Sequence, residues 1–463
     1  MGSLSDVFKA YDIRGVVPDQ LNAEQFRAIG VAVARFTGAH RLLVARDMRE
    51  SGVELSRAFS DGVRSEGVAV VDLGLASTDL LYFAAGSLDA PGAMFTASHN
   101  PARYNGLKLC QAGARPIGRD TGLDAIQATA ESLIEDWGTD GPPPLDPDRM
   151  APLEERSVLD AYAEHVRSFV DVSALRPLRV VADTANGMGG LVAPKVFEGL
   201  PFRVDILFPE LDGNFPNHPA DPIQPENLVA LKAAVLAEGA DVGLAFDGDA
   251  DRVFLVDERA EPVSGSLTTA LVASSMLAKN PGATVLYNCI CSRVVPEVIE
   301  ELGGVGIRTK VGHSYIKQVM AETGAIFGGE HSGHYYFRDN YRADSGIIAA
   351  MVVLELLSVT GSPLSELLQP YQRYADSGEI NTVVDDPAGA VAAMSAHVEE
   401  AGGALGTTDH LDGLTVDRGD WWYNLRPSNT EPLLRLNVEA PDAASCDAHV
   451  AEVQADITRL LGT

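Results

Sequence analysis

Three times along the chain an apolar run of strand length is followed by an amphipathic stretch and then by a second such run. This repetition limits the fold more than any other feature. The first unit joins "RLLVAR" (41–46) to "VAVVDLG" (68–74) through "SGVELSRAFSDGVRSEG", in which Val53, Leu55, Phe59 and Val63 fall near helical spacing. The second runs from "LRVVADTANG" (178–187) through a helix over "LVAPKVFEGL" to "FRVDILF" (202–208), and the third from "TVLYNCI" (284–290) through "SRVVPEVIEELG" to "GIRTK". Strand, helix and strand in this order pair in parallel, which makes the chain an α/β protein with largely parallel sheets.

Segments dense in Gly, Pro and Asp divide the repeats. "WGTDGPPPLDPDRMAP" (137–152) reads as a linker, "DERAEPVSG" (257–265) as the end of a hairpin before a helix, and "LQPYQRYADSG" (368–378) as a third boundary. After it the pattern changes to "INTVVDD", a helix from Pro387 to Gly402, two further strand-like runs and a terminal helix. The expectation is three similar mixed α/β domains, at residues 1–150, 151–258 and 259–370, and a C-terminal α+β domain with an antiparallel sheet at 371–463.

Charge and composition exclude several functions. The chain has 463 residues and a formal charge of −30, so binding to nucleic acid or an anionic membrane would be opposed over most of its surface. An anionic ligand needs a local basic pocket. The apolar stretch "GIIAAMVVLELLSV" from Gly346 falls short of the roughly 18 residues of a membrane span and contains Glu355. The start, "MGSLSDVFKAYDIRG", lacks a basic segment and an apolar core, and Cys110, Cys289, Cys291 and Cys446 make neither a disulfide framework nor a zinc site. A cytoplasmic location is expected.

Four short stretches carry chemistry. In "MFTASHNPARYNG" (94–106), a strand-like run ends at Ser98 and His99, and Asn100-Pro101 forces a turn because proline biases the residue before it to extended backbone. The hydroxyl is placed after a strand end, where open α/β sheets hold ligands. Neither a hydrolase Gly-x-Ser-x-Gly frame nor a P-loop occurs, and a plain turn serine is the alternative. In "VGLAFDGDADRVFLVDE" (242–258), Asp247, Asp249 and Asp251 converge in a turn between two apolar strands and call for a hard divalent cation, with Mg²⁺ the natural candidate. A calcium loop is excluded by Arg252 where glycine is required and by strands where helices belong. An aspartyl phosphotransferase would have Asp247 as nucleophile and a hydroxyl residue where Asp251 stands, and a solvated acidic turn is the plainest alternative.

The third stretch, "FGGEHSGHYYF" (327–337), has Glu330, Ser332 and His334 alternating, so an extended backbone would project a carboxylate, a hydroxyl and an imidazole from one side to read sugar hydroxyls. The fourth, "NLRPSNTEP" (424–432), offers Arg426, Ser428, Asn429 and Thr430 to a phosphate.

Taken in order, one per domain, "TASHNP", "DGDADR", "GEHSGH" and "RPSNTEP" resemble the phosphoserine, metal, sugar and phosphate loops of the α-D-phosphohexomutase family, with "YDIRG" (11–15), "YNGLK" (104–108) and "GHSYIK" (312–317) as supporting matches. The resemblance covers essentially the whole chain. It implies four domains around a central cleft, with Ser98 carrying a phosphoryl group and one Mg²⁺ per chain held by that phosphate and by Asp247, Asp249 and Asp251. Arg14, Lys108 and Arg252 supply positive charge, and His99, Lys108 and His334 are the candidates for proton transfer. Tyr11, Arg252, His313, Glu330, Ser332 and His334 contact the sugar phosphate, and Arg426, Ser428, Asn429 and Thr430 grip its non-reacting phosphate. A hexose 1,6-bisphosphate is the bound intermediate and the activator.

One position departs from the pattern. Where members acting on both mannose and glucose phosphates have a lysine within "YNCICSR", this chain has Ile290, with His313 and Lys317 as nearby cations. "EHSGHYYFRD" resembles the phosphomannomutase branch more than the phosphoglucosamine branch, which has Gln at the position of His331. The expected activity is therefore hexose 6-phosphate to hexose 1-phosphate interconversion with mannose preferred, and glucose and glucosamine phosphates as alternatives. The chain is expected to act as a monomer or weak dimer. Without a competent Ser98, the same scaffold would be a sugar-phosphate binding protein.

Overall fold

The computed structural model describes residues 4–401, 405–428 and 433–461. It divides into two compact units, residues 1–264 with 332–366, and residues 265–331 with 367–463.

In the first unit, one sheet runs in the order Leu153–Glu155, Ala69–Leu75, Arg41–Arg46, Gly92–Phe95, Tyr104–Gln111 and Ile13–Val16. The first four strands are parallel, and Tyr104–Gln111 pairs antiparallel with both of its neighbours, Gly92–Phe95 and Ile13–Val16. Helix Ala23–Thr37 opens with a capping box between Asn22 and Gln25 and closes at Gly38 in the left-handed region, which satisfies end groups that would otherwise lack partners. It crosses helix Ser51–Ser65 closely. A β-carbon on Gly30 would lie 2.1 Å from the Phe59 carbonyl oxygen, and one on Gly62 2.2 Å from that of Arg27, so neither position accepts a side chain. Beneath the crossing, the rings of Phe26 and Phe59 pack on Phe95, the residue that ends the strand leading to Ser98. Strand Leu153–Glu155, which pairs with Ala69–Leu75, extends this sheet past residue 150, where composition placed the boundary.

A second sheet in the same unit has Arg203–Leu207, Arg179–Asp183 and Val242–Phe246 in parallel, then Val253–Asp257 antiparallel. The hairpin register sets Phe246 opposite Val253, so the intervening Asp247–Arg252 turn stands at the strand end. All ten residues of the two hairpin strands are buried, which fixes the turn on a rigid base. Helix Gly346–Thr360, the long apolar stretch of the sequence, is buried almost throughout. Among the described residues, no single helix is long and apolar enough to cross a membrane.

The second unit contains a parallel arrangement of Val305–Thr309, Thr284–Asn288 and Phe327–Gly329. It also contains an antiparallel sheet built on Leu433–Ala440, Trp422–Pro427 and Leu414–Asp417, with helices Pro387–Glu400 and Ala443–Leu461 packed on it. Three mixed or parallel α/β layers and one antiparallel α+β layer are the architecture expected from the sequence.

Candidate active site

Strand Gly92–Phe95 delivers Ser98 into a turn where its φ is +48°. Left-handed backbone at a non-glycine residue costs about 1–3 kcal/mol and persists only where surrounding contacts enforce it. Here the Thr96 hydroxyl accepts from the Ser98 amide at 2.9 Å, and the metal-type loop closes over the turn. Gly248 makes that closure possible, because a β-carbon there would sit 2.4 Å from the Ser98 carbonyl oxygen. The strained turn aims the hydroxyl at the acids: Ser98 Oγ donates to Asp247 Oδ2 at 2.8 Å and lies 3.2 Å from His99 Nδ1.

Asp247, Asp249 and Asp251 are essentially inaccessible to solvent, and their oxygens come within 4.8 Å of one another. Three buried carboxylates would be prohibitively costly without cations. Lys108 Nζ donates to Asp249 Oδ2 and Asp251 Oδ2, both at 2.7 Å, and Arg252 Nε donates to Asp247 Oδ2 at 2.9 Å. Asp249 also stands at the start of helix Thr78–Ser87, accepting from Thr78 Oγ1 at 2.6 Å, while its carbonyl accepts from the Thr78 amide.

Protonation follows from these contacts. Burial opposes the Lys108 ammonium, yet Asp249 and Asp251 outweigh it and hold the pKa well above the ordinary lysine value. Burial likewise pushes Asp249 up, and the Lys108 charge more than reverses it, keeping this carboxyl well below the usual range. Asp247 moves the other way: burial raises it, against the pull of Arg252 and with the help of the two neighbouring carboxylates. Burial, and then the charges of Arg252 and Arg14, depress His99. Its Nδ1 accepts from Arg252 Nη2 at 2.6 Å, which requires the neutral ring.

Three carboxylates facing two cations leave a surplus of negative charge. Asp249 Oδ1 and Asp251 Oδ1 are buried and accept no hydrogen bond. Orphaned carboxylate oxygens beside an acidic surplus fit a hard divalent cation with oxygen ligands.

Arg14 belongs to the same surface, donating to Asn100 Oδ1 at 2.6 Å and paired with Asp12. Tyr11 is half-buried just before strand Ile13–Val16. His334 Nδ1 is 2.9 Å from Asp344 Oδ2 and 3.8 Å from Asp251 Oδ1, and with Nδ1 donating to Asp344 the ring's lone pair is on Nε2. The first unit thus gathers Arg14, Ser98, His99, Lys108, Asp247, Asp249, Asp251, Arg252 and His334.

The second unit holds Glu330 and Arg426. Glu330 is buried, with Oε1 accepting from Asn288 Nδ2 at 3.1 Å and the Gly312 amide at 3.0 Å. The extended projection of Glu330, Ser332 and His334 is not what forms. Strand Phe327–Gly329 ends before Glu330, and a turn with Gly333 at φ +83° follows, so the three side chains do not share the face of one strand. Arg426 is buried on strand Trp422–Pro427, with Nη2 on Glu379 Oε2 at 2.5 Å and with Nε lacking an acceptor. Ser428 is half-buried, its amide bonded to the Leu433 carbonyl. Asn429, Thr430 and the side chain of His313 lie outside the described residues.

Residues 5–136, 160–261 and 264–374 match the alpha/beta/alpha domains I, II and III of phosphoglucomutase/phosphomannomutase, and residues 379–459 match its C-terminal domain. The chain belongs to the phosphoglucomutase/phosphomannomutase family. A Xanthomonas campestris pv. campestris relative named "Phosphohexose mutases" is 42% identical over 96% of this chain and 98% of its own length. The phosphomannomutase of Escherichia coli K12 is 38% identical over 94% of each chain. A crystal structure of a phosphoglucomutase/phosphomannomutase family protein from Burkholderia thailandensis superposes with a TM-score of 0.85 at 34% identity, covering 100% of this chain and 98% of the other. As a member, the chain is a mutase, and the interconversion of hexose phosphates is the activity its geometry serves.

In this mutase, several residues that matter to the site were not singled out from sequence. Asp344 orients His334, Thr78 fixes Asp249, and Asp47 and Arg49 lie beneath the serine loop. The last pair had a signal, since "RDMR" sets opposite charges immediately after an apolar strand. Ile290, where the resemblance leads to the expectation of a lysine, is buried, and so is Lys317, one of the two cations named near it.

Proposed function

We propose that the enzyme interconverts hexose 6-phosphates and hexose 1-phosphates, mannose phosphate preferred, through a phosphoserine at Ser98. The observation that carries this reading is the Ser98 hydroxyl held 2.8 Å from Asp247 at the edge of a buried acid cluster with two unsatisfied carboxylate oxygens. A phosphoryl group on Oγ adds about −2 of charge beside that cluster, which a divalent ion shared by the phosphate and Asp247, Asp249 and Asp251 would balance. When bound, Mg²⁺ neutralises charge on the transferring group and on the departing serine oxygen.

The chain's own residues do the rest. Lys108 and Arg252 keep fixed positive charge at the site, which is most of what phosphoryl transfer asks of a protein. In the first half-reaction the Ser98 oxygen–phosphorus bond breaks, a sugar hydroxyl oxygen bonds phosphorus, and the hydroxyl proton leaves to a base; in the second the other sugar oxygen–phosphorus bond breaks, the Ser98 oxygen bonds that phosphorus, and the freed sugar oxygen takes a proton. Of the three candidates, Lys108 is locked as an ammonium by two carboxylates and the His99 Nδ1 is occupied by Arg252, whereas His334 is held through Nδ1 by Asp344, so that a proton transferred by this ring would pass through Nε2. We assign the base to His334. The bound hexose 1,6-bisphosphate then returns its other phosphate to Ser98, and the same compound, supplied from solution, would prime an unphosphorylated enzyme. The mannose preference is supported by the sugar loop and by the name of the E. coli relative.

Intact mass measures the central claim: the purified enzyme should carry one phosphate, part of which leaves as hexose 1,6-bisphosphate when the enzyme is incubated with a large excess of hexose phosphate and returns when that bisphosphate is added. An enzyme that turns over without ever carrying phosphate would overturn it. A second expectation separates grip from sugar reading. Arg426→Ala should raise KM about tenfold or more for mannose and glucose phosphates alike, because Arg426 is assigned to the phosphate. Glu330→Gln should change the ratio between the two sugars. Kinetics on both substrates side by side check it, and an Arg426→Ala variant with altered sugar preference would refute the assignment.

A further inference from the structure

Asp47 and Arg49 follow strand Arg41–Arg46 and are among the most buried charged residues of the protein. Arg49 uses every nitrogen of its guanidinium. Nε donates to Asp47 Oδ2 at 3.2 Å, Nη1 to the carbonyls of Pro101 and Tyr104 at 2.9 and 3.0 Å, and Nη2 to those of Ser98 and Asn100 at 2.9 and 2.6 Å. The planar fork of five donors is thus matched by five acceptors. The group is enclosed from the other side: the Phe215 ring lies 5.2 Å from the guanidinium carbon, and Gly213 passes so close that a β-carbon would come within 2.7 Å of Arg49 Cα. Asp47 is itself fixed, its amide donating to the Phe95 carbonyl and its Oδ1 accepting from the Arg49 amide at 2.9 Å.

We infer that Arg49 is a positioning residue for phosphoryl transfer, holding the left-handed turn at Ser98 from beneath so that the serine oxygen keeps one direction with and without its phosphate. Four of its five hydrogen bonds go to carbonyls between residues 98 and 104, a loop that contains no helix or strand over 98–103 to hold it otherwise. No guanidinium N–H remains for a ligand, so the side chain acts on the loop and not on the sugar phosphate. A lysine keeps the charge opposite Asp47 and cannot reach four carbonyls in a plane. The inference rests on Ser98 as the phosphoryl carrier.

The test is the rate of phosphoryl transfer from the phosphoenzyme to a hexose 6-phosphate in a single turnover, expressed per mole of phosphoserine so that unfolded protein does not count. Arg49→Lys should lower that rate and kcat on the order of 10²-fold, as misplacement of a reacting atom does, with KM within about twofold of wild type. Its phosphoserine ³¹P resonance should shift or broaden. Asp47→Asn, which keeps Arg49 and loosens its anchor, should lower kcat about tenfold with the same KM and covers the case in which Arg49→Lys does not fold. Wild-type transfer in either folded variant, or a rise in KM in proportion to the loss, would overturn the inference. Phosphate mapping in the wild type to a residue other than Ser98 would overturn the carrier reading, and this inference with it.

Discussion

Ser98→Ala is expected to lower mutase turnover by at least about 10⁴-fold while the protein still folds, because the substitution removes the atom that gives up a phosphoryl group in one half-reaction and takes one back in the other. Structural cost is small. Alanine tolerates φ of +48° no worse than serine does, Asp247 retains Arg252 as its partner, and one lost hydrogen bond is worth about 1 kcal/mol. Melting temperature and intact mass should accompany the kinetics: a variant that melts like wild type, carries no phosphate and is inactive isolates the chemical role. Added hexose 1,6-bisphosphate should not restore turnover, since the variant has no hydroxyl to accept the first phosphoryl group. Wild-type turnover in a folded variant would remove Ser98 from the mechanism.

Periodicity showed the α/β layers because it records burial. "RLLVAR" reads as a strand since four of its six residues are buried, and the connector after it reads as a helix since Leu55, Phe59 and Val63 face inward. Leu153–Glu155 could not be read that way. All three residues are exposed, so the strand exists through its backbone ladder and leaves no side-chain pattern. The acid loop was legible for a related reason: carboxylates flanked by apolar strands on both sides are conspicuous, and the hairpin does bring them to one point. What sequence spacing could not supply was partnership across the chain. Lys108 meets Asp249 and Asp251 over more than 140 positions, and Arg49 meets the Ser98 carbonyl over 49. The sugar loop failed for a local reason: alternation predicts a shared face only while the backbone stays extended, and Gly333 allows the turn that ends it.

Stripping divalent metal with a chelator should abolish turnover, by about 10³-fold or more, with recovery on adding Mg²⁺, because Lewis-acid stabilisation of a transferring phosphoryl group is worth several kcal/mol. Asp249→Asn should reproduce much of that loss. In the wild type three carboxylates face Lys108 and Arg252, and the surplus charge is what attracts a further cation; the amide leaves two carboxylates for two cations and no surplus. Asparagine is nearly isosteric, so the Thr78 hydroxyl keeps an acceptor and the helix start stays in place. The variant should therefore need far more Mg²⁺ for half-maximal activity, while equilibrium binding of hexose phosphate changes by no more than about threefold, since the proposed phosphate grip at Arg426 is built on a different sheet. Titrating Mg²⁺ against activity, and hexose phosphate against intrinsic fluorescence, separates the two. If wild-type activity survived exhaustive metal removal, Lys108 and Arg252 alone would suffice for charge stabilisation, and the two unsatisfied oxygens of Asp249 and Asp251 would have no cation to explain them.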